Sequence, residues 1–434
     1  MHYPPTKAIA AAAILLRVNS VIGTPAPAVT PAPRLEDAVA PRADACTFSG
    51  SLGYSSASVS KASCSTIVLS SLQVPGGKTL NLEKLNDGTT VIFEGTTTFG
   101  YAEWEGSLFS VSGNSITVKG AEGSVLDGQG ALYWDGKGGS GGVTKPKFFK
   151  ANHLNDSTLE GITIKNAPKN SFSLNYVYNL TVKDITVDDR NGEALGKNTD
   201  AFNSKLFSSV FNTRLPFLSL LSPGRLPSPS ENDKYARNKT FNNNQFYGTV
   251  NNADGVTITG AKVWNQDDCV AVNSGKNIYF GSGFCSGGHG LSIGSIGGQN
   301  VNLVSNVTFA DSTVQKSQQS VRIKTISDAT GTVQDITYRN IFLDNAGVDA
   351  DYSDYGVIVT QSYGGDKGKP TNGVIITGVV LQNITGTVGS EAARVYIECG
   401  VGSCSDWSWS DVSITGGTQS SSCQNVPSGG GVSC

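Results

Sequence analysis

The sequence predicts an all-β fold: a right-handed parallel β-helix, a single-stranded solenoid of about ten coils with an N-terminal cap. Three observations predict it. Glycine is abundant, at 52 of 434 residues, charged residues are sparse at 15 %, and Ser, Thr, Val and Asn recur. That balance suits strands and tight turns and leaves too little Ala, Leu, Glu and Lys for a helical fold. From about residue 115 onward, short runs alternate apolar and polar residues and then meet Gly, Asn or Asp, as in SITVKG, LTVKDITVDD, VTITGAKVWN and VIITGVVLQNITG. Aligning GITIKN with DITVDD sets Ile162 over Ile185, a step of 23 residues. A period in the twenties implies stacked coils, each burying its inward face on its neighbours. A propeller would want periods nearer about 40 residues, and a sandwich fewer strands.

The elements follow in order. Lys7 precedes the apolar run Ala8–Leu16, and TPAPAVTPAPR comes after it, which reads as a signal peptide over 1–23 and a Pro/Ala-rich pro-segment over 24–42. Arg17 keeps the apolar run short of the roughly 20 residues that a membrane-spanning helix needs. The domain proper is 43–434, with 46–110 expected as the cap, including a short helix near the first cysteines. One stretch, 204–249, breaks the pattern: residues 204–247 hold a single glycine and no alternation. Structureless loops of this length are uncommon inside a compact domain. Excising Ser204–Thr249 would join NTDAFN to VNNADGVTITGAKVWNQDDC in unbroken register. The stretch therefore reads as a retained intron or a gene-model error, with a surface insertion as the alternative.

Eight cysteines fit an oxidising compartment, and their order suggests the local pairs Cys46–Cys64, Cys269–Cys285, Cys399–Cys404 and Cys423–Cys434. A zinc site is disfavoured, because the only histidines are His2, His153 and His289 and there are no paired Cys-x-x-Cys knuckles. Sequons at Asn155, Asn179, Asn306 and Asn383 agree with export. A net charge of −3 offers no basic excess for nucleic acid or an anionic membrane.

The chemistry-bearing residues share one spacing. Asp200 and Asp267 are 67 residues apart, or 21 once the 46 of Ser204–Thr249 are set aside; Asp268 and His289 are also 21 apart. One coil is about this long and coils stack about 4.8 Å apart, so Asp200, the Asp267–Asp268 pair and His289 fall at one angular position on consecutive coils. Arg322 and Lys324, two apart in a strand, point to one face. Taken singly, each has a structural explanation: Asp and Asn cap turns, and Arg-x-Lys suits a solvated face. Their convergence in one column is what argues for chemistry. Adjacent residues of a flat strand face opposite ways, so Asp267 and Asp268 are expected at a strand end or bend.

NTD (198–200), QDDC (266–269), GHG (288–290) and RIK (322–324), in this order, resemble the polygalacturonases among the pectin-cleaving glycoside hydrolases; SGGHGLSIGS and VRIKT are similar to the fungal endo-acting type. The resemblance spans 43–434 apart from the insertion. It implies a secreted enzyme that hydrolyses α-1,4 bonds of de-esterified homogalacturonan with inversion, without metal or organic cofactor, and as a monomer. It assigns Asp267 as general acid, Asp200 and Asp268 as holders of the attacking water, and His289 as tuner of the acid's protonation. Arg322, Lys324 and Tyr363 become substrate contacts, and Asn198 orients the water or Asp200. Close packing of acids is expected to keep one of them protonated. The chain departs from the family pattern at Asn203 and Ser362, where Asp is usual, and at Gln318–Gln319–Ser320, where Asp-Asn-Gly is familiar. Alternatives are an exo-acting or rhamnogalacturonan hydrolase, a calcium-dependent pectate lyase on the same fold, and a non-catalytic β-helix, including one whose catalytic coils the insertion has splayed apart.

Overall fold

In a computed structural model, which describes residues 43–203, 253–299, 301–347, 354–419 and 422–434, the chain winds as a right-handed parallel β-helix. The signal-peptide, pro-segment and insertion assignments fall outside the described residues, and the coil resumes at Ala253. Among the described residues no helix is long and apolar enough to cross a membrane.

Among the described residues every strand pairing is parallel, and one inward-facing row shows why the coils stack. Leu80, Phe109, Phe149, Phe172, Phe202, Val270, Leu291, Val321, Val357 and Val395 are partners in succession. The row counts ten coils. From Leu80 to Val357 its members are no more than 3 % exposed, so each coil's side chain is covered by the next. Four phenylalanines form a continuous stack, with ring centroids 4.6 Å apart for Phe109–Phe149, 4.9 Å for Phe149–Phe172 and 5.2 Å for Phe172–Phe202. Each such pair is worth about 0.5–1.5 kcal/mol beyond area burial. The stack ends two residues beyond Asp200, and so anchors that acid from inside.

The 23-residue step holds, with Thr163 paired to Thr186 and Ile164 to Val187. The cap is shorter than expected. The helix Gly50–Ser60 lies between Cys46 and Cys64, and regular stacking has begun by the strand Cys64–Val74, which pairs with Thr90–Glu94. Residues 64–110 are coils, and several of their strands, such as Leu80–Leu82 and Thr96–Phe99, are too short to show alternation. All four cysteine pairs form disulfides. The sequon asparagines lie on the outside and hydrogen-bond along the stack: Asn155 donates to Asn114, Asn179 to Asp156, Asn306 to Asn277 and Asn383 to Asn340.

Candidate active site

Asp267 and Asp268 sit in the bend between the strands Lys262–Trp264 and Val270–Val272. Neighbouring side chains fix the bend. Asn265 Nδ2 donates to the carbonyls of Thr199 (2.9 Å) and Asp268 (3.0 Å), while the Gln266 amide donates to Thr199 Oγ1 (2.9 Å) and its side chain to the Asp189 carbonyl (2.7 Å). These bonds tie the coil carrying Asp200 to the coil carrying the acid pair. The Ala201 amide donates to the Asp268 carbonyl at 3.0 Å, and Phe202 pairs with Val270. The coils flanking the insertion are therefore stacked, not splayed.

The glycines around His289 are explained by close approach. A Cβ on Gly288 would run into the Asp267 carbonyl, and one on Gly290, at φ +70°, into the carbonyls of Gln319 and Ser320. The His289 amide donates to the Asp267 carbonyl (2.9 Å), and its Nδ1 lies 3.0 Å from Asp267 Oδ1. Gln319 and Ser320, two of the residues that depart from the family pattern, are buried beneath this turn.

Each carboxyl has its own surroundings. Asp200 accepts from Asn170 Nδ2 (2.7 Å) and from Asn203 Nδ2 (2.8 Å), so the Asn at 203 supports Asp200 as a donor. Asp268 accepts from Ser292 Oγ (2.5 Å) and Lys324 Nζ (2.9 Å), with Arg322 Nη1 at 3.5 Å. Asp267 accepts from its neighbour's amide (2.8 Å) and from Asn198 Nδ2 (3.0 Å), while Asn198 Oδ1 accepts from the Gly139 amide. Asn198 thus orients Asp267, where the sequence had suggested Asp200 or water: its amide reaches the next coil.

The electrostatics divide the acids differently from expectation. Burial, then the charges of Asp267 and Asp268, push Asp200 up to about 7. Burial would also raise Asp267, but the charge and hydrogen bond of His289, with Lys324 behind them, outweigh it and hold Asp267 well below the usual carboxylate range. The retained proton is therefore favoured on Asp200, the acid without a cationic partner at hydrogen-bond distance.

These groups open on a cavity of about 520 Å³ lined by, among others, Asn198, Asp200, Asp267, Asp268, Lys324 and Tyr363. Arg322 is not part of the lining. It lies against Asp268 and beneath Tyr363, whose ring centre is 5.8 Å from its Cζ and 5.4 Å from Lys324 Nζ. Ligand atoms of Asp267, Asp268 and His289 lie within 4.8 Å of one another, a grouping that could also hold a cation. Here the Lys324 ammonium already neutralises Asp268, which suits proton transfer. The sequence reading missed Asn170, Ser292 and Lys169. Ser292 pairs in register with Arg322, so extending the coil spacing one strand position would have found it. Lys147 and Lys169 join this cavity to a second, of about 480 Å³, over the N-terminal coils.

Comparison with known proteins agrees with this geometry. The model of glycosyl hydrolases family 28 matches residues 64–211 and 236–434, leaving 212–235 unmatched within the suspected insertion. Endopolygalacturonase I of Aspergillus aculeatus is 48 % identical over 430 residues, 99 % of either chain. A probable endopolygalacturonase E of Aspergillus niger is 49 % identical over 402 residues, 92 % of either chain. The structure of endopolygalacturonase I from Stereum purpureum, complexed with two galacturonates, superposes with a TM-score of 0.67 at 33 % identity, covering 86 % of this chain and 95 % of that one. The chain belongs to the glycosyl hydrolases of family 28.

Proposed function

We propose that the protein is a secreted, monomeric endopolygalacturonase that hydrolyses internal α-1,4-galacturonosyl bonds of homogalacturonan with inversion. The observation that carries this reading is the meeting of three carboxyls with Lys324 and Tyr363 in one cavity. A neutral polysaccharide would not call for cations there; a polyuronate does. Named relatives are endopolygalacturonases along nearly the whole chain. The groove's continuation past Lys147 and Lys169 favours cleavage within a polymer over removal of its terminal residue.

In this mechanism the proton that Asp200 holds before substrate binds passes to Asp267, which then donates it to the leaving glycosidic oxygen, so Asp200 enters the step ionised. His289, whose Nδ1 lies 3.0 Å from Asp267 Oδ1, orients that carboxyl for the transfer. Water held by Asp200 and Asp268 attacks the anomeric carbon from the opposite side. Its proton passes to the carboxylates as the old carbon–oxygen bond breaks. Asp268, paired with Lys324 and Arg322, holds the water, and Asp200 accepts its proton.

The test is reducing-sugar release from polygalacturonate in the presence of chelator, with product lengths resolved, for the full chain and for one lacking 204–249. Saturated oligomers of mixed length are expected. Galacturonate monomer alone from the start would indicate exo-action, and unsaturated ends would indicate a lyase. Absence of cleavage by either chain would overturn the hydrolase reading.

A further inference from the structure

Ser362 stands where the family pattern has an acid, and the sequence offers no local compensation. The structure supplies one from the next coil. Thr360 pairs with Glu398, so the outward side chains of Lys324, Thr360 and Glu398 form one row across three strands. Glu398 is only 1 % exposed. Its Oε2 accepts from Ser362 Oγ and Thr360 Oγ1, both at 2.8 Å, and its Oε1 accepts from the Gly368 amide at 2.5 Å. Tyr396 also hydrogen-bonds it. The carboxyl thus ties together both ends of the turn that begins at Tyr363.

That turn has few other anchors near Tyr363: the Gly365 amide donates to the Ser362 carbonyl (2.9 Å), and the Ser327 amide to the Tyr363 carbonyl (3.0 Å). Glu398 itself is rigidly based. It directly precedes the Cys399–Cys404 disulfide, and Gln361, on the strand it faces, accepts from the Gly400 amide at 2.9 Å. Tyr363 is 41 % exposed, lines the cavity, and covers Lys324 and Arg322.

We propose that Glu398 is a positioning residue: through Ser362 and Gly368 it restores, from the adjacent coil, the carboxyl missing at 362, and so holds Tyr363 over Arg322 and Lys324 for substrate binding. The proposal rests on the hydrolase reading for what Tyr363 binds. Because Tyr363 meets the polysaccharide and not the reacting atoms, the effect belongs in KM.

Steady-state kinetics on polygalacturonate test it. Glu398→Leu is expected to raise KM about five-fold with kcat changed less than about two-fold, and to add nothing to Tyr363→Ala. Ser362→Asp alone is expected to raise KM and lower Tm, since it sets two buried carboxyls against each other. In the Glu398→Leu background, the same Ser362→Asp change is expected to bring KM back to within about two-fold of wild type. A purely structural role for Glu398 would not give that rescue. Unchanged KM in Glu398→Leu, effects that multiply with Tyr363→Ala, or no rescue by Ser362→Asp would each overturn the proposal. Should Glu398→Leu fail to fold, Glu398→Gln keeps one acceptor oxygen, and its KM is expected between the two; a wild-type KM would again overturn the proposal. The same series read as Kd for polygalacturonate in the Asp267→Asn background separates the two readings. Absence of turnover in the chain that keeps Asp267, with these Kd shifts intact, counts against hydrolysis alone, whereas Kd values that do not move count against Glu398.

Discussion

Two columns of polar side chains run along this helix, and they are built on opposite rules. On the outside, Asn306 donates to Asn277 (2.7 Å), which donates to Asp254 (2.7 Å); further along, Asn383 donates to Asn340 (3.0 Å), which donates to Asp311 (2.7 Å). Each amide finds an acceptor one coil away, so the repeat satisfies itself and the column can be extended without penalty. In the groove the repeat is broken. Three acids meet there within two coils, and Arg322 keeps a buried Nε without a hydrogen-bond partner among the described residues. Like charges and unsatisfied donors destabilise a fold, and they persist where chemistry uses them.

The sharpest way to break the comparison is to remove an acid from the groove. Asp267→Asn keeps the shape and the Asn198 contact in altered form but cannot donate a proton as a carboxyl does. A fall in kcat of about 10²–10⁴-fold is expected, read by reducing-sugar release, with Kd for polygalacturonate little changed. A fall in affinity of the same size would move Asp267 from chemistry to binding.

Next in size is the buried pair behind it. Lys324 Nζ and Asp268 Oδ2 are 2.9 Å apart, with side chains 6 % and 4 % exposed. Lys324→Met strands the carboxylate, at a cost of about 3 kcal/mol, eased by Arg322; the denaturant midpoint measures it. Adding Asp268→Asn is expected to recover most of that loss, because the uncompensated charge goes with it. The outer column has no counterpart to this effect.

The two columns were also unequally legible in the sequence. NTD, QDDC and GHG stood out because bends need particular residues: Gly288 for close approach to the Asp267 carbonyl, and Asn265 to bridge two carbonyls; RIK stood out because it sets two cations on one face of a strand. Glu398, Asn170 and Ser292 did not stand out. They carry no local pattern, and their place follows only from register. Register was hidden because coil length varies even with the insertion set aside, from 21 residues between Val270 and Leu291 to 40 between Phe109 and Phe149. The first coils were mistaken for cap for a related reason, since strands of three residues such as Leu80–Leu82 cannot display an alternation. Where the retained proton sits was beyond spacing altogether. It depends on which acid His289 touches.

That proton gives a pH-dependent test. Asp200 rises to about 7 from an ordinary 3.8, under burial and the charges of Asp267 and Asp268, opposed by Asn203 and Lys324. The folded state therefore holds a proton that the unfolded chain has released between about pH 4 and about pH 7. Its contribution to stability is fully present below about 4 and is lost as pH rises through about 7. Asp200→Asn removes this dependence, so the variant is expected to gain Tm relative to wild type on going from pH 4 to pH 7.5. Parallel Tm curves for the two proteins would place the proton elsewhere.

The smallest effect belongs to the outer column. Asn340, at φ +54°, accepts from Asn383 and donates to Asp311 at 2.7 Å. Asn340→Ala removes both bonds and puts a Cβ-branched-free but less tolerant residue in a left-handed turn. The ladder is solvent-exposed, so water replaces the lost partners, and a loss of about 1–2 kcal/mol is expected, with kcat and KM on polygalacturonate unchanged. Asn340→Gly separates the two causes: it relieves the backbone and still breaks the ladder, and is expected to lose less than Asn340→Ala. If either change altered turnover, the outer column would be coupled to the groove through the shared coils, and the division drawn between a self-satisfied face and a reactive one would fail.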